Sequence, residues 1–240
     1  MTPRRSGARI EVTRADELAP PSVERSPRFA RGTYPHIPVG TRGELPLDPL
    51  LLAAVERWEP GSFRPRQNHR GIEIVRVMLR GTLVHQDSSI GRCFVGSDDV
   101  TVLSTGAGVE QQESVLFDEP AHAVVFWLRS SAPDAPAHFA QHTFSRAARV
   151  NTLLPIVYGS DRVTNALHIN ADVTISSGAL EAGTTAAARS RRGCGYLIST
   201  VGRVVVNGVI VEPGDRIVIR GRDWVRVQAL EPTDVVMLDL

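Results

Sequence analysis

Two pairs of polar side chains stand at alternating positions in segments that otherwise read as β-strands. Gln67 and His69 are two residues apart just before an apolar run, and Gln111 and Glu113 are two apart farther along. Because alternate residues of a strand point to the same side, each pair is expected to share a face. If both faces turn into one barrel, the four side chains converge in an apolar cavity, which predicts a binding or catalytic site.

These residue types allow two kinds of chemistry. A histidine beside a carboxylate can remove and return a proton, so His69 and Glu113 are the candidate catalytic residues. The amides of Gln67 and Gln111 would then bind the substrate, for example at an enolate or phenol oxygen. Alternatively, all four side chains could ligate a divalent metal, although an amide oxygen is a weaker ligand than imidazole. A third possibility is a metal-free cavity in which the two glutamines hydrogen-bond each other or a water.

The elements that must position these residues are predicted to be strands almost throughout. In residues 73–87, Val75, Val77 and Leu79 share one face and Arg76 shares the other with Arg80, which predicts a half-buried strand. Asn207 and Gly208 between two apolar runs predict a two-residue hairpin turn. Helical periodicity is scarce, and the run "LDPLLLAAVERW" at 47–58 is the best helical candidate.

The order of strands and turns occurs twice in the chain. Residues 79–106 and 200–221 both show a strand, a glycine turn, a strand, a turn containing Gly and Asp, and another strand. Between the copies, residues 129–139 are rich in Pro, Ala and Ser, as linkers are. We therefore predict two small antiparallel barrels joined near residue 131, with domains at 1–130 and 131–240. A barrel removes sheet edges and can enclose a pocket at its mouth.

Composition narrows the class of protein. The 240 residues are 42% hydrophobic and 22% charged with a net charge of +1, so no strong field attracts nucleic acid or an anionic membrane. The two cysteines are too few for a secreted disulfide scaffold, which favours the cytoplasm. No signal peptide and no apolar run of about 18 residues is visible.

Several ordered motifs resemble the pirin family, the bicupins that include quercetin dioxygenase-like proteins. The resemblance is carried by "QNHRGIE" at 67–73, by Gly81 through His85 to "DS" at 87–88, and by "STGAGVEQQE" at 104–113. It continues through "LHINADVTISSGAL" at 167–180 and "VNGVIVEPGD" at 206–215, and covers roughly residues 60 to 240. The first 50 or so residues match poorly and form a variable lead-in.

The resemblance implies an all-β bicupin fold, with two antiparallel cupin barrels facing each other. It also implies a site of three histidines and one glutamate around iron or a similar divalent ion in the N-terminal barrel. Here the first and third histidines stand as Gln67 and Gln111, while His69 and Glu113 remain. The second barrel has Asn170 where relatives often carry a histidine, and is expected to hold no metal.

Three functions are compatible with these residues. The first is a diverged enzyme that needs no cofactor and acts by acid–base isomerisation, cyclisation or elimination on a small unsaturated, phenolic or polyketide-like molecule. The second is a quercetin dioxygenase-like oxygenase that uses iron or another divalent metal. The third is a non-enzymatic protein that binds a protein partner. None of them involves nucleic acid or a membrane.

The remaining histidines, cysteines and arginine clusters are assigned no role in the site. His85 is expected to be a hydrogen-bonding residue of the core or of a turn. The basic segments 64–66 and 190–193 are expected to be solvated loops, and Cys93 and Cys194 to be buried small hydrophobic residues.

Overall fold

The structure is a computed structural model that describes residues 8–14, 37–38, 47–116, 118–159 and 165–240. Within these ranges the chain is almost entirely strand, with one short helix. The strands are β1 (Arg9–Thr13), β2 (Ile37–Pro38), β3 (Leu50–Trp58), β4 (Phe63–His69), β5 (Ile72–Arg80), β6 (Leu83–Asp87), β7 (Gly91–Val95), β8 (Asp99–Ser104), β9 (Val109–Ser114), β10 (Ala121–Arg129) and β11 (His138–Thr143). After the helix α1 (Arg146–Arg149) come β12 (Leu154–Tyr158), β13 (Leu167–His168), β14 (Thr174–Leu180), β15 (Thr185–Arg189), β16 (Cys194–Ser199), β17 (Val204–Val206), β18 (Val209–Val211), β19 (Arg216–Arg220), β20 (Trp224–Ala229) and β21 (Thr233–Asp239).

The chain divides into two compact units. One comprises the described residues of 20–144 and 158–172, and the other those of 1–19, 145–157 and 173–240. The first unit contains a six-stranded sheet of order β11-β8-β5-β10-β3-β2 and a four-stranded sheet of order β4-β9-β6-β7. The remaining sheets have the orders β1-β19-β16-β21-β14-β12-β13 and β15-β20-β17-β18.

The predicted all-β class is confirmed, with a difference in how the sheets close. Among the described residues the strands form four separate sheets rather than hydrogen-bonded closed barrels. In the first unit, the apolar core includes Trp58, Met78, Leu83, Val109 and Val125. A separate core in the other unit includes Leu197, Ile217 and Val227. This two-sheet arrangement around an apolar core is the cupin architecture that the resemblance implied.

Two local predictions about secondary structure are corrected. Residues 50–58 form strand β3, not a helix, because this apolar segment pairs with the central strand β10 along its whole length. Strand β5 is not half-buried: the consecutive residues Val75, Arg76 and Val77 are all buried, so both faces of this strand are covered. Arg76 is therefore a buried cation that requires partners.

The sequence repeat corresponds to a repeated turn. Before β8, the carboxylate of Asp99 accepts from the backbone N–H of Gly96 at 2.7 Å. Before β19, the carboxylate of Asp215 accepts from the N–H of Glu212 at 3.0 Å. In both turns the aspartate side chain accepts from the backbone N–H three residues earlier, which closes the turn where the strand starts. The predicted Asn207–Gly208 hairpin also forms, and both residues adopt positive φ as this turn type requires.

Two strands pair across the domain boundary predicted at residue 131. Strand β11 follows the Pro- and Ala-rich segment but pairs with β8, so that segment is a loop of the first unit. Strand β1 pairs along its length with β19, and both strands belong to the unit made of residues 1–19, 145–157 and 173–240. Among the described residues, no helix is long and apolar enough to span a membrane.

Candidate active site

On the sheet β4-β9-β6-β7, Gln67, Gln111 and Glu113 stand in two cross-strand rows, and His69 stands opposite Val109 at the end of β4. In one row Gln67 stands opposite Gln111, which stands opposite Asp87. In the next row Arg64 stands opposite Glu113, which stands opposite His85. A bulge between Arg64 and Gln67 shifts the register of β4 and allows both residues to face the same side.

The four predicted side chains differ in their exposure to solvent. Gln111 and Glu113 are buried, His69 is half-buried, and Gln67 is exposed. The reason is the position of β4 at the edge of its sheet, where a side chain has a neighbouring strand on one flank only. The expectation that all four side chains converge inside a cavity therefore does not hold for Gln67.

Two buried polar atoms on this face have no hydrogen-bond partner within the described residues. They are Nε2 of His69 and Oε1 of Gln111. The His69 ring packs edge-on against Trp127, with ring centroids 5.1 Å apart. An enclosed polar atom without a partner costs free energy, so each of these atoms would gain from a group that supplies a hydrogen bond.

Glu113 lies instead in a buried network of charges. Its Oε2 accepts from Nη1 of Arg64 at 2.9 Å and from Nη2 of Arg76 at 2.8 Å, and Oε1 contacts Arg76 as well. Arg64 also donates to Oε1 of Glu56 at 2.7 Å. The prediction that residues 64–66 form a solvated loop is thus wrong for Arg64, because the bulge turns its side chain toward these carboxylates.

His85 is the site residue that sequence reasoning undervalued. Its Nε2 donates to Oδ2 of Asp87 at 2.8 Å, and its Nδ1 lies 3.5 Å from Oε1 of Glu113. The ring stacks on Phe139 with centroids 4.9 Å apart. It was correctly expected to be a buried hydrogen-bonding residue. It also contacts Glu113, whereas no hydrogen bond joins Glu113 to His69 among the described residues. The spacing of His85 and Asp87, two apart on a strand, was the signal.

The surroundings shift the pKa values of three site residues. Burial lowers the pKa of His69; the charge of Glu113 opposes this effect and that of Arg64 adds to it. Burial alone would raise the pKa of Glu113, but Arg76, the hydrogen bond to His85, and Arg64 hold it well below its usual range. For Asp87, hydrogen bonds from Ser89 and His85 likewise outweigh burial and lower the pKa. His69 is therefore neutral and both carboxyl groups are ionised near pH 7.

An open cavity of about 360 Å³ adjoins the ends of β4 and β9. His69 and Val109 form part of its wall, as do the glycine-containing turn before β9 and the polar residues Asn68, Arg70, Ser88 and Glu110. This volume lies at the lower end of the range of small-molecule pockets. The neutral His69 imidazole thus borders a space that a small ligand could enter.

The residues present do not fit the four-ligand metal set that the resemblance implied. Glu113 already accepts hydrogen bonds from two guanidinium groups, and Gln67 is exposed. Of the four side chains, His69 and Gln111 each have a buried potential ligand atom without a hydrogen-bond partner among the described residues. Among the described residues, no group of three or more His, Cys, Asp or Glu is arranged to hold a metal. Two donors, one of them an amide oxygen, form a weak and incomplete set for a first-row metal.

Cys93 stands opposite His85 on β7, in the row of Arg64 and Glu113. The other histidines and Cys194 lie outside this sheet. His138, His142 and His168 are exposed and His122 is half-buried. Cys93 and Cys194 are unpaired and half-buried rather than fully buried. In the second unit, Asn170 was expected to mark a barrel without metal, and this remains a prediction.

Comparison with known proteins places this geometry in a family. The Pirin model matches residues 54–128, and the model described as "Quercetinase C-terminal cupin domain" matches residues 156–240. A Pseudomonas aeruginosa protein, provisionally named as a quercetin 2,3-dioxygenase, is 29% identical over 75% of this chain and 78% of its own length. A pirin-like protein of Caulobacter vibrioides is 28% identical over the same shares.

Solved structures show the same fold. YhhW from Escherichia coli aligns with a TM-score of 0.81 and 18% identity, covering 97% of both chains. A second structure of that bacterial pirin, in complex with nickel(II), aligns with a TM-score of 0.80 over 97% of this chain and 99% of that one. At this level of identity the similarity establishes the architecture, and the site must be judged from its own residues.

Proposed function

Because the chain belongs to the pirin family of quercetin dioxygenase-like bicupins, we propose that it is an enzyme acting on a small enolic or phenolic molecule by proton transfer at His69. The observation that carries this proposal is the unpartnered Nε2 of His69, on a ring that borders the cavity. The names of the relatives support a small-molecule substrate of this class.

The proposed step uses only groups of this chain. Neutral His69 takes a proton from a carbon or oxygen of the substrate, which leaves an imidazolium and an enolate or phenolate. The side chain of Gln111 can turn its amide so that N–H donates to the anionic oxygen. Return of the proton to a different atom completes an isomerisation, and loss of a leaving group completes an elimination. Glu113 holds the imidazolium by charge from within its network and takes no proton itself.

A metal-dependent oxygenase is the second candidate, favoured by the relatives named quercetin 2,3-dioxygenase. It predicts that oxygen is consumed when substrate is turned over. The ion pairs of Glu113 with Arg64 and Arg76 count against this candidate, because they occupy the carboxylate that would ligate the metal. Oxygen uptake and proton exchange therefore separate the two functions.

The test measures exchange of substrate hydrogen with solvent. Quercetin and a panel of enolisable phenolic and polyketide-like compounds are first screened for binding by thermal shift. Compounds that bind are incubated in D₂O, and deuterium uptake is followed by mass spectrometry beside oxygen consumption. We expect His69→Ala to reduce enzyme-dependent exchange by about 10²- to 10⁴-fold, the usual contribution of a general base.

The matched control is His138→Ala, since His138 is an exposed histidine on β11 of the same unit. This variant should exchange at the wild-type rate. The proposal fails if no compound binds, or if His69→Ala exchanges as fast as the control. Oxygen uptake without solvent exchange would favour the oxygenase instead.

A further inference from the structure

The carboxylate of Glu113 has no position left for another ligand. The side chain is fully buried, and Oε2 accepts two hydrogen bonds from different guanidinium groups. Its second oxygen faces Arg76 and the imidazole of His85. A metal ion could bind here only by displacing at least one arginine.

The two arginines are themselves held in place. Arg64 donates to Glu56 as well as to Glu113, and its guanidinium lies 4.8 Å from the centre of the Trp58 ring. Glu56 in turn accepts from Nε1 of Trp58 at 3.1 Å and lies 3.6 Å from Arg76. Two guanidinium groups thus face two carboxylates in a closed, buried arrangement, and each member has an opposite charge beside it.

A divalent cation would meet a strong electrostatic obstacle in this arrangement. Arginine stays protonated at any physiological pH, so its charge cannot be released to make room for the ion. Charges of the same sign a few ångströms apart repel strongly when water is excluded. Displacing an arginine would also leave it buried without its partner, which is costly.

We propose that Arg64 and Arg76 have taken over the charge-neutralising part that a metal plays in the family's site, so that this pocket is independent of metal. The presence of Gln67 and Gln111 in place of histidines is then only one of two reasons why this site does not bind metal; the two arginines are the other. Restoring histidine at 67 and 111 alone would leave both guanidinium groups in place and would not restore metal binding. This inference concerns metal only and does not depend on which reaction His69 performs.

The test measures metal content and thermal stability of the full chain. Wild type and the double variant Gln67→His/Gln111→His are stripped with EDTA, equilibrated with Ni²⁺ or Fe²⁺, and analysed by elemental analysis and thermal denaturation. We expect no bound metal in either protein and no change in Tm. One tightly bound ion per chain would raise Tm by several degrees, because a ligand stabilises the state it binds. Stoichiometric metal in the wild type or the double variant overturns the proposal.

A second variant asks whether the arginines are the obstacle. It combines Gln67→His and Gln111→His with Glu56→Gln, Arg64→Gln and Arg76→Gln. The three added substitutions remove both arginine charges and the carboxylate of Glu56, their second partner. We expect this variant to bind one Ni²⁺ per chain and to gain stability or regain its circular dichroism when Ni²⁺ is added. A variant that is folded but binds no metal overturns the proposal, and if it stays unfolded the double variant decides alone.

Discussion

At the scale of single residues, the site combines two differently bound side chains. Nε2 of His69 has no hydrogen-bond partner among the described residues, whereas the Glu113 carboxylate is paired with two arginines. Burial lowers the pKa of His69, so the imidazole is neutral near pH 7 and can accept a proton. Glu113 is ionised and immobilised by Arg64 and Arg76. Of the predicted acid–base pair, His69 can therefore act as the base, whereas Glu113 remains an anion held in place by its arginines.

This division predicts the pH dependence of His69. Because its pKa lies below the ordinary value, the ring should titrate with a midpoint below about 6.5. Proton transfer to the neutral ring should be constant near pH 7 and fall as the pH drops through that midpoint. NMR of the imidazole Hε1, assigned by its loss in His69→Ala, measures the midpoint. A midpoint above about 6.5 would contradict the prediction.

The residue types of the site could be predicted only in part. Period-two spacing correctly identified Gln111 and Glu113 as neighbours on one face. Arg64 was missed because a β-bulge breaks that period between it and Gln67, and no bulge is visible in the residue types. Arg76 was placed on a solvent face because alternation alone does not reveal that β5 is covered on both sides.

At the scale of elements, turns and edges decide which face a side chain meets. The hairpin at Asn207–Gly208 and the two Asp turns followed from local residue types, which specify turn geometry directly. Strand β3 was mistaken for a helical candidate because a continuous apolar run has no clear period. Its burial between neighbouring strands is a property of the sheet, not of the segment.

The glycine at the turn between β5 and β6 gives a test at this scale. Gly81 and Gly91 both have positive φ, of 75° and 81°. A Cβ at Gly81 would stand 2.4 Å from the carbonyl oxygen of Pro120, whereas nothing lies within 4 Å at Gly91. We expect Gly91→Ala to cost about 1–2 kcal/mol from the backbone alone, and Gly81→Ala roughly 1–3 kcal/mol more. Urea denaturation compares them, and equal losses would contradict the contact.

At the scale of the whole molecule, the buried charges couple stability to pH. Glu113 and Asp87 have lowered pKa values in the folded chain, so their contribution is fully present above about pH 5. It is lost as the pH falls from the unfolded values near 4 through the lower folded values. The protein should therefore lose stability in acid without losing any hydrophobic contact.

Replacing Glu113 isolates this contribution. We expect Glu113→Gln to lower the free energy of unfolding at pH 7 by about 3–5 kcal/mol, because two buried guanidinium groups lose a counter-charge. The acid dependence of stability should also become shallower. The matched control is Glu110→Gln on the same strand, whose ion pair with Arg66 is exposed and should be worth at most about 1 kcal/mol. Chemical denaturation between pH 3 and 7 measures both, and similar losses in the two variants would contradict the buried network.

The pairing of β1 with β19 has a consequence for the order in which a nascent chain can fold. Arg9 pairs with Arg220, so β1 acquires its partner only after about 210 further residues have been synthesised. Residues 47–144, which carry the site, have all their described sheet partners available well before that. On the ribosome, the site-bearing unit can therefore fold before β19 has been synthesised, whereas β1 remains without its partner strand until then.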